Sequence, residues 1–340
     1  MPERVREMED QESDQKKSNR LYIYIGVAFF AAISFFSFSN YMDGNGQNQD
    51  ISKVLPSDMK VQMQSITKSS SLEKIAVITV SGVIGTPGLK EKVITELRSA
   101  SQNTEVKAVI LRVESPGGSV HETALIYREV LKFKESKKPL VAFFNGIAAS
   151  GGYYISTPAD KIMATPETIT GSIGVIVQFS NYTGLMSKLG LKMHTIKSGA
   201  QKDMLSPYRD LDPEGEKILQ DWVDESYGEF VRVVSAGRKM NEKTVRQLAD
   251  GRIYSARQAA KNKLIDSTGY FEDAVALAKE LAKSPDASVV EMNAVDTSMR
   301  PLLGNFKAVF RTKKNPLEKI LFPSGIGYIA PGFADRYPEQ

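Results

Sequence analysis

LVAFFNGIAASGGY, residues 140 to 153, is the stretch on which the fold turns. Leu140 to Phe144 is short, aromatic and β-branched with no polar alternation, the pattern of a strand covered on both faces. Asn145 to Ala149 are turn-forming or small, and Ser150-Gly151-Gly152-Tyr153 then opens a helix. A buried strand feeding a helix through small residues is the repeating unit of a parallel α/β sheet. Working outward, Ile75 to Val80, Ala108 to Val113 and Met193 to Ile196 carry the same brief apolar signature and are read as further buried strands. Helices fill the gaps. Ser119-Val120-His121-Glu122 is a capping box opening one with Leu125, Ile126, Val130 and Leu131 on a face. Asp212-Pro213 opens another, in which Leu219, Trp222, Val223, Tyr227, Phe230 and Val234 recur at helical spacing before Gly237 closes it. Both stripes are core-forming. The sequence thus predicts one α/β catalytic domain over 72–298 with a mostly parallel sheet and no internal repeat.

Composition narrows the chemistry. The chain has no cysteine, which removes disulfides, thiolate nucleophiles and zinc-thiolate sites. A formal charge of +4 without a basic, aromatic-interleaved stripe leaves no basis for a nucleic-acid partner. His121 and His194 are the two imidazoles available to any mechanism that needs one.

Leu21 to Phe38 is uncharged for 18 residues, close to the roughly 20 that cross a hydrocarbon core. Lys16, Lys17 and Arg20 precede it and the next basic residue is Lys53, so the positive-inside rule assigns 1–20 to the cytoplasm, 21–42 to a transmembrane anchor and the rest to the outside. A cleaved signal peptide is the competing reading, with Ser37 and Ser39 at cleavage spacing, but the apolar run is long for one. Residues 43–71 read as a linker or stalk.

Three glycine-rich turns carry the candidate chemistry. Ser115-Pro116-Gly117-Gly118 lies between a strand and the helix capped by Ser119, where bare backbone and a helix N-terminus form an oxyanion site, or else a tight turn. Ser150 at a helix N-terminus is either a nucleophile, with the Gly151 N–H facing the attacked carbonyl, or a helix cap. It lacks the G-x-S-x-G elbow of the α/β hydrolases. Thr170-Gly171-Ser172-Ile173-Gly174-Val175 is followed by Lys197-Ser198-Gly199-Ala200-Gln201-Lys202-Asp203. A desolvated lysine can deprotonate a serine. Local spacing does not choose between Lys197 and Lys202.

Taken together and in this order, these blocks resemble the signal peptide peptidase A family in its short, single-domain form. Gly251-Arg252-Ile253-Tyr254-Ser255 and Leu264-Ile265-Asp266-Ser267-Thr268-Gly269 extend the likeness over roughly residues 72 to 285. The resemblance implies a fold similar to Clp proteases and crotonases and a Ser/Lys dyad, the variant of triad logic that dispenses with histidine. Carried over by position, Ser150 is the nucleophile, Lys202 the general base and Ser172 the residue orienting the lysine. The N–H groups of Gly117 and Gly151 form the oxyanion hole. The implied substrates are cleaved signal peptides and other unfolded apolar segments at the membrane. The implied assembly is a homo-oligomeric ring, in which Ser150 and Lys202 could come from different subunits. Neither metal nor cofactor is called for.

Three competing readings remain: a Ser-His-Asp peptidase using His194 or His121, a crotonase-like acyl-CoA enzyme, and a non-catalytic membrane scaffold. An external location weighs against acyl-CoA chemistry. From Met299 onward, Leu302, Leu303, Phe306, Val309 and Phe310, then Ile320 to Phe322 and Ile326 to Ala330, form an apolar extension over 299–340. Its expected role is to enter the active-site groove as a substrate mimic.

Overall fold

In the computed structural model of the chain, residues 59–67, 71–296 and 326–329 are described. The expected cytoplasmic segment, the membrane anchor, most of the linker and all of the extension except 326–329 lie outside the described residues. The chain divides into Met1–Ser57 and Asp58–Gln340, and the second part holds every element below.

The strands are β1 (Met59–Ser65), β2 (Lys74–Ser81), β3 (Val106–Ser115), β4 (Gly117–Ser119), β5 (Leu140–Ala149), β6 (Lys161–Ala164), β7 (Ile169–Gly171), β8 (Ile176–Val177), β9 (Ile253–Ser255), β10 (Ser267–Thr268), β11 (Ser288–Asp296) and β12 (Ile326–Ile329). The helices are α1 (Leu89–Gln102), α2 (Val120–Glu135), α3 (Gly151–Ser156), α4 (Thr183–Lys188), α5 (Pro213–Arg238), α6 (Glu242–Leu248), α7 (Ala256–Lys261) and α8 (Phe271–Ala282). Among the described residues the main sheet runs β1-β11-β2-β3-β5-β6-β10, with β7 on β5 and β9 on β7. All its pairings are parallel except β1 with β11 and β7 with β9.

The apolar runs without alternation are explained by cover on both faces of the sheet. Ile75, Val77, Ala108, Ile110, Val141 and Phe143 pack under α8, whereas Ala76, Ile78, Val109, Leu111, Ala142 and Phe144 face α1, α2 and α5. Adjacent residues on a strand point opposite ways, so Phe143 meets the Phe271 ring edge-on at 5.7 Å while Phe144 meets Tyr153 at 6.3 Å. Each is completely buried, and truncating either to alanine costs about 3–5 kcal/mol.

Several expectations are corrected. Met193 to Ile196 is not a strand: it has no pairing partner, and Met193 and Ile196 are exposed. β1 lies inside the stretch read as linker, pairing Met59 with Asp296 and Ser65 with Val290, because its partner is contributed by the far end of the domain. In α2 the buried face is Thr123, Ile126, Val130 and Phe133, while Leu131 is exposed. Its capping box is half formed: the Glu122 N–H donates to Ser119 Oγ, but the Ser119 N–H donates to the Ile84 carbonyl instead. In α5 Trp222 is half exposed, and the helix runs past Gly237 to Arg238 before Lys239 turns left-handed. Gly237 is there for a close approach, since a Cβ on it would collide with the Thr157 backbone.

Candidate active site

The geometry begins with a kink in β5. Val113 pairs with Phe144 but Ser115 with Ala148, so Asn145 and Gly146 add residues that β3 does not match, and Gly146 takes a φ of 76°. Such a bulge bends a strand and re-aims the residues beyond it. Past this point β5 leaves β6 for β7, pairing Ile147 to Ala149 with Ile169 to Gly171, and delivers Ser150 to the C-terminal end of the sheet. The strand is therefore longer than its apolar run.

Ser150 adopts φ 53° and ψ −118°, a conformation that costs a non-glycine residue roughly 1–3 kcal/mol and persists only where surroundings enforce it. Here the Ser150 N–H donates to Gly171 O at 2.8 Å, and Ser150 O accepts from the Tyr154 N–H at 2.8 Å. Its hydroxyl makes no capping bond and takes no partner among the described residues, although the residue is only 1% exposed. The simple helix cap is therefore excluded. A strained, buried, uncommitted hydroxyl is the state in which a nucleophile is held.

The oxyanion loop packs directly on the residues after Ser150. A Cβ on Gly151 would lie 2.7 Å from Thr123 Oγ1 and 3.3 Å from both Gly117 Cα and Gly118 N. One on Gly152 would lie 2.9 Å from Ser115 O. Both positions require glycine for this approach. The loop itself is β4, not a bare turn. Ile84 holds one edge, its N–H donating to Gly117 O at 2.8 Å and its carbonyl accepting from the Ser119 N–H at 2.7 Å. By alternation, Gly118 presents its N–H and C=O to the opposite edge. There β12 runs antiparallel, placing Tyr328 opposite Gly118 and Ile329 opposite Gly117, and β12 also pairs with β8 through Gly327 and Ile176. The Gly117 N–H is turned inward onto Ser115 Oγ at 3.1 Å.

Ser172 also has a positive φ of 49°, held by its N–H donating to Arg252 O at 2.8 Å. It lines a cavity of about 290 Å³ with Val175, Ile176, Val223 and Tyr227. Gly117, Gly151, Ser150 and Ser172 thus share one region. Lys202 lies on a largely exposed arm, residues 178–212, that carries α4. It is exposed, and its amine makes no hydrogen bond or ion pair among the described residues. Lys197, by contrast, donates to Asp203 Oδ1 at 2.6 Å and to Ala200 O at 2.8 Å. That bond from Lys197, with Arg209 nearby, holds the Asp203 carboxyl below the usual carboxylate range. Lys197 is thus committed to that pair, whereas the Lys202 amine has no partner among the described residues. The arm exposes Leu185, Leu189, Leu191, Met193, Ile196 and Leu205. His121 and His194 are both exposed, and neither bonds to Ser150.

Sequence reasoning missed the Ile84 contact and Thr123. The glycines at 82, 85 and 88 were the available signal for the first, a fourth glycine-rich segment beside the three that carry the candidate chemistry. Thr123 sat unmarked within an amphipathic stripe.

A strained buried serine on a strand-to-helix turn of a mostly parallel Clp-like sheet, flanked by backbone N–H groups, defines a serine peptidase. The sequence pattern described as peptidase family S49 matches residues 132–284, and that described as Clp protease matches residues 60–170. A signal peptide peptidase SppA of Enterococcus faecium is 42% identical over 71% of this chain and 73% of its own. A Synechocystis protease is 41% identical over 67% of this chain and 81% of its own. Protease 4 of Salmonella typhi is 35% identical over 69% of this chain but 40% of its own. The chain belongs to the signal peptide peptidase A family, peptidase family S49, and is a serine endopeptidase.

Proposed function

We propose that the chain is a membrane-anchored endopeptidase in which Ser150 attacks the scissile carbonyl and Lys202, supplied by a neighbouring copy, removes its proton. Ser172 orients that lysine, and the loop at Gly117 together with the Gly151 N–H stabilises the oxyanion. The observation that carries this reading is the strained Ser150, whose buried hydroxyl is left without a partner beside Gly151 and β4. The free Lys202 amine on an arm of six exposed large apolar side chains supports delivery in trans, since such a patch on a soluble surface marks an interface. The resulting assembly is a ring of identical chains. Leu21 to Phe38 anchors it with residues 1–20 in the cytoplasm and the catalytic domain outside.

The substrates on this reading are cleaved signal peptides and other extended apolar segments. They add as a strand to the edge of β4 opposite Ile84, and alternate side chains drop into the cavity beside Ser172. β12 occupies that edge and so acts as an intramolecular substrate mimic. Incubating the full chain in detergent with a synthetic apolar signal sequence, followed by mass spectrometry, tests the activity. Ser150→Ala and Lys202→Ala each abolish cleavage. Full activity in both variants would remove the dyad, and loss with His194→Ala alone would restore the histidine mechanism.

A further inference from the structure

Thr123 is buried in the first turns of α2, where a threonine hydroxyl ordinarily donates back to a carbonyl three or four residues earlier. Two neighbours show that local habit: Ser156 Oγ donates to Gly152 O and Thr157 Oγ1 to Tyr154 O, each at 2.8 Å. Thr123 Oγ1 does neither, and takes no hydrogen-bond partner among the described residues. Unpaired buried hydroxyls are rare because they forfeit hydration for nothing. This one faces a particular place. The point that a Gly151 Cβ would occupy is 2.7 Å from Thr123 Oγ1 and 3.3 Å from Gly118 N, so the hydroxyl and the oxyanion loop meet on the same side of Gly151. Ser150 Oγ is the other uncommitted buried hydroxyl beside Gly151.

We propose that Thr123 is a positioning residue for the oxyanion hole. Its hydroxyl pairs with the Gly117–Gly118 segment in the substrate complex and fixes the spacing of that segment against Gly151. The resting loop shows why a partner is needed: the Gly117 N–H is spent on Ser115 Oγ, and two glycines at φ 101° and 158° give the segment freedom to turn. Turning a Gly117 or Gly118 peptide toward a substrate carbonyl sends its other polar group inward, and an inward polar group must be met. Thr123 Oγ1 is an uncommitted buried hydroxyl at that spot, and with Ser150 Oγ reserved for the substrate carbon it is the hydroxyl left to meet that group.

The inference rests on the reading of Ser150 as the nucleophile, and its test separates the two. The full chain in detergent is assayed on an internally quenched peptide of alanine and leucine, with Ser150→Ala as the control. Thr123→Val keeps the shape and deletes the hydroxyl; Thr123→Ala is a second hydroxyl-free variant in case valine packs badly. Expected for both is a kcat about tenfold below wild type with KM within about twofold, a fraction of what loss of a direct oxyanion donor costs. Thr123→Ser restores kcat to near the wild-type value. A peptide aldehyde, whose adduct with Ser150 places an oxygen in the oxyanion position, loses affinity in the hydroxyl-free variants by about the same tenfold. Thr123→Val melts no lower than wild type, because the hydroxyl stabilises nothing at rest. Wild-type kcat in Thr123→Val, or a serine variant as slow as the valine one, would overturn the proposal while leaving Ser150 in place. Cleavage that survives Ser150→Ala would overturn both.

Discussion

Mixing two dead variants discriminates between a dyad built within one chain and one built between chains. Among the described residues, Ser150 lies buried at the end of β5 with its hydroxyl unpaired, and Lys202 lies exposed on the 178–212 arm with its amine unpaired. If each site takes its serine from one subunit and its lysine from the next, Ser150→Ala and Lys202→Ala subunits complement each other. In a randomly mixed assembly at equal ratio, half the sites carry an intact Ser150, and half of those face an intact Lys202. About a quarter of wild-type activity per site is therefore recovered from two inactive parents. Both variants are co-expressed with different affinity tags, purified through each in turn, and assayed against either parent alone. Doubly tagged assemblies of the right size with no activity above the parents would refute delivery of the lysine in trans.

Other outcomes come from particular contacts. Truncation after residue 298 removes β12 from the β4 edge and raises kcat/KM on a short apolar peptide several-fold; unchanged kinetics would show that the strand does not compete with substrate. Gly118→Ala drives a Cβ into the Ile84 carbonyl and costs about 3 kcal/mol, read as a lower midpoint in urea together with lost activity. Tyr153→Phe leaves the Leu264 carbonyl without its 2.8 Å donor deep in the core and lowers stability by about 1–2 kcal/mol, also by urea titration. Glu96 is fully buried, and desolvation raises its carboxyl above the ordinary value despite Lys92 and the Ala294 N–H. An acid raised in the folded state is favoured there in its protonated form. Its contribution is thus complete below the unfolded value of 4.5 and is lost as pH rises through the folded one. Glu96→Gln should flatten that decline, so its melting temperature gains on wild type as pH increases from 4.5.

What the sequence made legible was whatever depends on neighbours in the chain. Ile75 to Val80, Ala108 to Val113 and Leu140 to Phe144 declare themselves because a strand covered on both faces must be apolar throughout. The Ser150 turn is equally local: a strand end, then small residues, then a helix. Features whose partner lies far away were hidden. β1 is a short alternating segment beyond a polar stretch, and its pairing partner, residues 290–296, lies at the other end of the domain. Met193 to Ile196 reads as a strand because an apolar run bound for a sheet and one exposed on an arm have the same composition. Local spacing did not separate Lys197 from Lys202, and the family resemblance named Lys202; the Lys197–Asp203 pair, six residues apart, forms only in three dimensions. Thr123 carried no signal, since an unmade bond leaves no mark in a sequence.

The order β1-β11-β2 has a consequence for how this molecule is made. A ribosome releases β1 and β2 early, yet the strand that belongs between them is the last of the main sheet to emerge. Until Ser288 to Asp296 appears, the edge of β2 is open and β1 has nothing to pair with, while the nucleophile turn is already synthesised. Closing a loop of over two hundred residues is slow, and an open parallel edge invites aggregation meanwhile. Chains stalled or cut short before residue 288 therefore end as candidates for degradation, and half-made chains have no complete sheet on which to organise a cutting site.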